Sequence, residues 1–197
     1  FHGEMIQSHV LHVYMLAAPD LLGVGSVFPL IQTHKDVVLR AMRMKKLAND
    51  ISLVVGGRHV HPITLIPGGF SRLPKISALE GLRERLEACK ADASATVALM
   101  GSLTLPDFLR ETEYLSLQMP EEFALYEGLV YSSDAGAVPL SNYQKVVNEF
   151  VVPHSTAKHA RWHRNSYMVG ALSRANNNYK ILHPKAREAA EALGLTV

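Results

Sequence analysis

The segment Gln7-Ser8-His9-Val10-Leu11-His12-Val13-Tyr14-Met15-Leu16-Ala17-Ala18-Pro19-Asp20 constrains the fold more than any other stretch of this chain. It carries a near-continuous apolar helix signal, and a helix that is hydrophobic almost all round belongs in the interior of a large protein. At 3.6 residues per turn, however, His9 and His12 project from nearly the same face, with Ser8 beside them. Imidazoles there need partners, because an unpaired buried polar group costs roughly 1–3 kcal/mol. The segment therefore predicts core histidines satisfied by nearby groups, or a polar site set into a core.

The chain of 197 residues, 48% apolar and 19% charged, is long enough for a substantial core and too apolar for disorder. Its 20 basic and 18 acidic side chains leave a net charge of +2, so no large excess is present to attract nucleic acid or anionic lipid. Cys89 is the only cysteine, which excludes an intramolecular disulfide and any thiolate cluster made by this chain alone. Its setting, Leu86-Glu87-Ala88-Cys89-Lys90, reads as a small filler on a helix. No apolar run reaches the ~18 residues that span a bilayer and no signal peptide is visible, so the expected location is cytoplasmic. The sequence opens Phe1-His2-Gly3-Glu4, without methionine and already inside a predicted helix. The expectation is that sequence is missing upstream.

The pattern predicts a first helix over about 2–18, broken by Pro19, Gly23 and Gly25. A second, over about 33–55, places Val37, Val38, Ala41, Met44, Leu47 and Ile51 at helical spacing, and Gly56-Gly57 stops it. Residues 57–70 form a loop with a short extended segment and a Gly-Gly pair at either end. A third helix is expected over about 75–100, with Leu79, Leu82, Leu86, Ala93 and Val97 as its apolar side and a solvated charged face over 80–90. Extended segments follow at 115–117 and 125–131, then a turn at Asp134-Ala135-Gly136 and short helices over 140–149 and 184–193. The expected fold class is α+β, helix-dominated: a helical core part at 1–110 and a mixed part at 111–197.

Ten histidines invite a metal-site reading. His159 and His163 have i, i+4 spacing, which would put both rings on one helical face, and His9/His12 and His59/His61 are further pairs. No His-Glu-x-x-His occurs, no acid sits at a ligand-like offset, and no Gly-x-Ser-x-Gly or phosphate-binding glycine motif is present. The loop Gly56-Gly57-Arg58-His59-Val60-His61-Pro62, with Pro67-Gly68-Gly69 after it, is different. Glycines permit close approach and prolines lock turns, so an Arg and two His are held in a fixed backbone crossing. Two readings stand: the loop presents these residues to something, or it merely connects two helices.

Three ordered motifs carry a resemblance. Ile6-Gln7-Ser8-His9-Val10-Leu11-His12-Val13-Tyr14, the Gly-Gly-Arg-x-x-His-Pro loop at 56–62, and Ser166-Tyr167-Met168-Val169-Gly170-Ala171-Leu172-Ser173-Arg174-x-Asn176 resemble the large subunit of nickel–iron hydrogenases. The set is most similar to the cytoplasmic, multi-subunit branch, as is His154-Ser155-Thr156-Ala157-Lys158-His159. The family holds nickel and iron with thiolates from an Arg-x-Cys-Gly-x-Cys motif and an Asp-Pro-Cys-x-x-Cys motif. Neither occurs here, and the family's Ala-Pro-Arg-Gly segment is also missing. The chain thus resembles the central part of the subunit, with no metal ligands or cofactor of its own expected. Thiolates suit nickel and iron in a way that histidines do not replace.

The resemblance implies a large-subunit fold, shared with the quinone-pocket subunit of respiratory complex I: long core helices and a small β region. It implies no catalytic residue with certainty. Ser8 and His9 are placed where the first long helix passes under the metal centre, with His12 a further candidate on that helix; His61 in the rigid loop packs near the centre, and Arg58 is placed to anchor a neighbouring carboxylate or backbone. Such groups orient ligands rather than bind metal. Residues 168–174 read as a supporting turn between strand and helix, with Arg174 structural or functional. The reaction implied for the full-length protein is reversible H2 oxidation, its electrons leaving through an iron–sulfur small subunit. The isolated chain is expected to be inactive and to self-associate through apolar faces left open. A metal-free interaction or scaffold protein is the alternative, and a zinc hydrolase using the paired histidines is the weakest.

Overall fold

In a computed structural model of the chain, residues 1–108, 110–145, 147–164 and 166–195 are described. Contacts divide the chain into two units, Phe1–Pro106 and Asp107–Val197.

The first unit is built on three helical segments. Helix α1 (His2–Val10) runs on through a π-helical stretch, Leu11–Ala17, into α2 (Ala18–Leu21). Pro19 does not break it, contrary to the sequence expectation. The wider π turn leaves room for the pyrrolidine ring against the preceding carbonyls, and Pro19 is buried. The stop comes at Gly23, whose φ is +68°. After the short α3 (Leu30–Thr33), helix α4 (Lys35–Gly56) lies against α1 and against α5 (Ile76–Ser102). Ala41, Met44, Leu47 and Ala48 are its buried stripe, as the 3.6-residue spacing requires. Between α4 and α5, the two-residue strands β1 (Leu65–Ile66) and β2 (Gly69–Phe70) pair antiparallel.

Val10 and Tyr14 meet Ala41 and Met44 in the core, with Ile6, Val37, Cys89 and Leu99 packed around them. The Tyr14 hydroxyl lies 2.5 Å from Thr96 Oγ, which itself donates to the Asp92 carbonyl at 2.7 Å. Tyr14 is therefore the donor, and one buried polar contact ties the first helical segment to the third. Outside, Arg43 pairs with Asp92 at 2.7 Å, and Arg85 and Lys46 with Asp50 at 2.8 Å.

In the second unit, β3 (Glu113–Gln118) is flanked by antiparallel β4 (Leu129–Ser132) and by parallel β8 (Tyr167–Met168). β5 (Gly136–Val138) completes a four-stranded sheet in the order β5-β4-β3-β8. The Asp134-Ala135 turn joins β4 to β5 as expected. Residues 140–149 are not one helix: a 3-10 turn, Leu140–Lys145, is followed by β6 (Asn148–Phe150), which pairs with β7 (His159–Arg161). Val146, inside that expected helix, lies outside the described residues.

Helix α6 (Ala171–Asn178) packs on β3 and is clamped by two asparagines. Asn177 Nδ2 donates towards the Tyr114 carbonyl and Ser116 Oγ at 3.1 and 3.0 Å. Asn178 Nδ2 donates to the Leu117 carbonyl at 3.0 Å. A 3-10 turn, Tyr179–Ile181, leads to α7 (Pro184–Ala192), which starts on a His183 cap with proline in its first turn.

Much apolar surface stays open. The expected apolar side of α5 is mostly uncovered: Leu82 is buried, while Leu79, Leu86, Ala93 and Val97 are exposed.

Gly128 shows how tightly β3 and β4 meet. Its φ is +137°, and a Cβ there would lie 2.6 Å from the Gln118 carbonyl oxygen. Gly128→Ala is expected to cost about 2–3 kcal/mol through strain and clash. Thermal unfolding checks this, and an unchanged midpoint would contradict the register.

Candidate functional site

The sequence places five candidates in the first unit, and the structure sets all of them at the surface. Ser8, His9 and His12 are exposed, as are Leu11 and Leu16 beside them. The expectation of a fully buried segment is therefore corrected. Its inward face is Val10, Tyr14 and Ala18, and its histidine face is open. The π-helical stretch beginning at Leu11 also changes the angular relation of His12 to His9, since closing i to i−5 widens the turn. π turns inside α-helices frequently sit at functional sites.

The loop after α4 is fixed from within. Gly57, at φ +79°, ends the helix in the left-handed conformation. The Gly56 carbonyl then accepts the N–H groups of Ile63 and Thr64 at 2.8 and 3.2 Å. Thr64, buried, donates its hydroxyl to the Val55 carbonyl at 2.6 Å. A Cβ on Gly56 would meet Pro62 at 3.1 Å, so small residues are needed where the chain crosses itself. Strands β1 and β2 close the turn around Pro67-Gly68.

What this frame holds out is Arg58, His59, Val60 and His61, all exposed. His61 has φ +57°, the one described non-glycine residue with a positive φ. A side chain held in that region stores strain, and such outliers cluster at functional sites. Arg58 forms no ion pair with any described residue.

Asn49, which the sequence reading missed, joins the helix and the loop. Its side-chain oxygen accepts from Gln7 Nε2 on α1, and its backbone carbonyl lies 3.1 Å from His59 Nδ1. Nothing in the sequence sets it apart from its polar neighbours Asp50 and Ser52. Through it, α1, by way of Gln7, and the loop, by way of His59, are tied to the same helix.

The second unit holds a polar cluster that the sequence concealed. Glu113 on β3 is fully buried. Ser132 donates to Oε1 at 2.5 Å, the Arg164 N–H donates to Oε2 at 3.3 Å, and His163 Nδ1 lies 3.2 Å from Oε1. Arg164 bridges on to Asp134 at 2.5 Å and Glu111 at 2.7 Å. Partial burial pushes the Asp134 carboxyl up, but hydrogen bonds from Arg164 and Ser133 pull it below the usual carboxylate range. His159 and His163 do not share a helical face: His159 is on β7, and its ring meets His154 and Phe150 edge-on. The i, i+4 spacing was an accident of a strand and a bend.

The turn at 168–174 is as expected, with β8, Gly170 at φ +109° and then α6. Buried Ser173 donates to the Met168 carbonyl at 2.7 Å.

The donor set does not fit a nickel–iron centre, because one thiol cannot supply the thiolates such a centre needs. Cys89 is half-buried on α5; burial, reinforced by Asp92, pushes its thiol up, away from the thiolate that binds metal. Among the described residues no group of three or more His, Cys, Asp or Glu is arranged to hold a metal ion. Nor, among them, is any helix long and apolar enough to cross a membrane.

No protein-family model matches the chain. Individual proteins do. The alpha chain of sulfhydrogenase 1 from Pyrococcus furiosus is 32% identical over 96% of this chain and 45% of its own length. The alpha chain of sulfhydrogenase 2 from the same organism is 31% identical over 87% of this chain and 39% of its own. The vhu F420-non-reducing hydrogenase of Methanocaldococcus jannaschii contributes a relative 27% identical over 94% and 50%. The chain thus spans about half the length of the relatives it matches. In structure it is similar to an NAD+-reducing [NiFe]-hydrogenase in the H2-reduced state, with a TM-score of 0.78 and 22% identity over 87% of this chain and 44% of that one. That likeness gives the fold: hydrogenase large-subunit-like, α+β and helix-dominated.

Alkylation tests the state of Cys89. The rate with iodoacetamide is expected to keep rising above the ordinary thiol pKa of about 8.5, and to be slower than in the unfolded chain. A rate already at its plateau at neutral pH would mean an activated thiolate and contradict this reading.

Proposed function

We propose, starting from a chain homologous over nearly its whole length to hydrogenase alpha subunits, that it is the central piece of a nickel–iron hydrogenase large subunit. The observation that carries the reading is the agreement of sequence and fold over almost all of this chain but only half of its relatives. The whole protein's reaction would be the reversible conversion of H2 to two protons and two electrons. Its nickel and iron would be held by thiolates outside these residues, and no step of the reaction is assigned to this chain.

The chain's own contribution would be support. The helix whose exposed face carries Ser8, His9 and His12 and the loop presenting Arg58 and His61 are both tied to Asn49, through Gln7 and His59. A face so built is suited to orient groups brought by another segment, by hydrogen bonds and charge rather than by coordination. The strain at His61 supports this, since a connector has no need to hold an imidazole in the left-handed region. Electrons would leave through an iron–sulfur partner in the cytoplasm, because this chain cannot ligate a cluster.

The test is hydrogen-dependent reduction of a viologen dye. The complete reading frame, produced with its iron–sulfur partner, is expected to be active, and the 197-residue chain alone inactive. Arg58→Ala in the complete enzyme should lower turnover about tenfold or more, in the range lost with outer groups that orient metal ligands. A complete reading frame without activity and without the two cysteine motifs would contradict the proposal and favour a metal-free scaffold.

A further inference from the structure

The turn between β8 and α6 borders a cavity of about 300 Å³ in the second unit, lined by Leu115, Leu117, Leu125, Val130 and Val169 with one charged side chain, Arg174. The walls are apolar, and the guanidinium lies 5.8 Å from the centroid of the Phe123 ring. Arg174 Nε is buried and has no hydrogen-bond partner among the described residues. A buried donor left unpaired costs about 1–3 kcal/mol, more when it is charged, and native proteins rarely tolerate one without a use. Burial lowers the pKa of Arg174, and no carboxylate among the described residues opposes that effect.

The position is not loose. Asn178 Nδ2 fixes this turn of helix by donating to the Arg174 carbonyl and to the Leu117 carbonyl on β3, each at 3.0 Å. The clamp fixes the backbone that carries Arg174, whose half-buried side chain lines the cavity. An apolar cavity with a single oriented cation is complementary to a carboxylate carried on an apolar body, since guanidinium and carboxylate match as charge-assisted pairs.

The rim decides the source of that carboxylate. Phe123, against the Arg174 guanidinium, and Val169, on the cavity wall, are 58% and 65% exposed. A small carboxylate would fill the cavity and leave this rim in water, whereas a polypeptide segment would cover both. We infer that this cavity receives an Asp or Glu side chain flanked by apolar residues, from a polypeptide segment outside these 197 residues. The inference rests on the large-subunit reading, in which the chain is about half of a longer protein.

Titration of the 15N-labelled chain tests it, following the Arg174 Nε–H resonance. The probes are N-acetyl-Leu-Glu-Leu-amide, its Gln counterpart and 4-methylpentanoate. The Glu peptide is expected to shift that resonance and to bind at least tenfold more tightly than either other probe. Arg174→Lys, which keeps the charge but loses the buried Nε–H, should weaken the Glu peptide about tenfold, and Arg174→Met further. Equal binding of the Gln peptide would overturn the charge recognition. Equal binding of 4-methylpentanoate would make the cavity a small-molecule site and overturn the segment. Absence of binding by the Glu peptide would overturn the whole inference. None of these readouts depends on metal or activity, so the cavity can fail while the large-subunit reading stands, and the reverse.

Discussion

The helical unit depends on α4, which has to pack against neighbours on two sides at once. Its buried stripe is short on bulk, with Ala41 and Ala48 beside Met44 and Leu47, so α1 can approach closely. Gly3 records how closely: a Cβ there would lie 2.8 Å from Ile51. On the other side the contact with α5 is made by Thr96, Cys89 and Leu99, with ion pairs along its exposed edge. Surface pairs of that kind add little, typically 0–1 kcal/mol each, so packing and the Tyr14–Thr96 contact carry the arrangement. The loop that presents Arg58 and His61 begins at the end of this helix and is tied back to it through Asn49.

This arrangement leaves a division between what the chain satisfies internally and what it does not. The carboxylate of Glu113 is fully buried and has three partners. Arg174 Nε is buried and has none among the described residues. The loop backbone is bonded internally, while the side chains it carries face outward. Apolar side chains of α5 do the same. Each of these is what a folded portion of a larger protein should look like where another portion meets it.

Periodicity made much of this legible. The stripe on α4, the glycine stop at Gly57, the rigid Gly-Gly loop and the strand–turn–helix around Gly170 all follow from spacing and local chemistry. The failures have one cause, that local pattern is blind to partners far along the chain. Apolar composition predicted burial for residues 7–20, but burial needs a neighbour on every side, and the face bearing His9 and His12 has open surface. Glu113 drew no notice in the sequence, because its partners, Ser132 and His163, come from 19 and 50 positions away. His159 and His163 looked helical because four-residue spacing was taken without the strand propensity around it. The π turn that lets Pro19 stay in a helix has no simple sequence signature.

The central claim is that these residues form part of a larger fold, with faces made to be covered. Sedimentation velocity on the isolated chain over a wide concentration range tests it most directly. Self-association that strengthens with concentration, and that a chain with Leu79, Leu86 and Val97 changed to polar residues loses, is the predicted result. A monomer of 21.7 kDa at every concentration would contradict it.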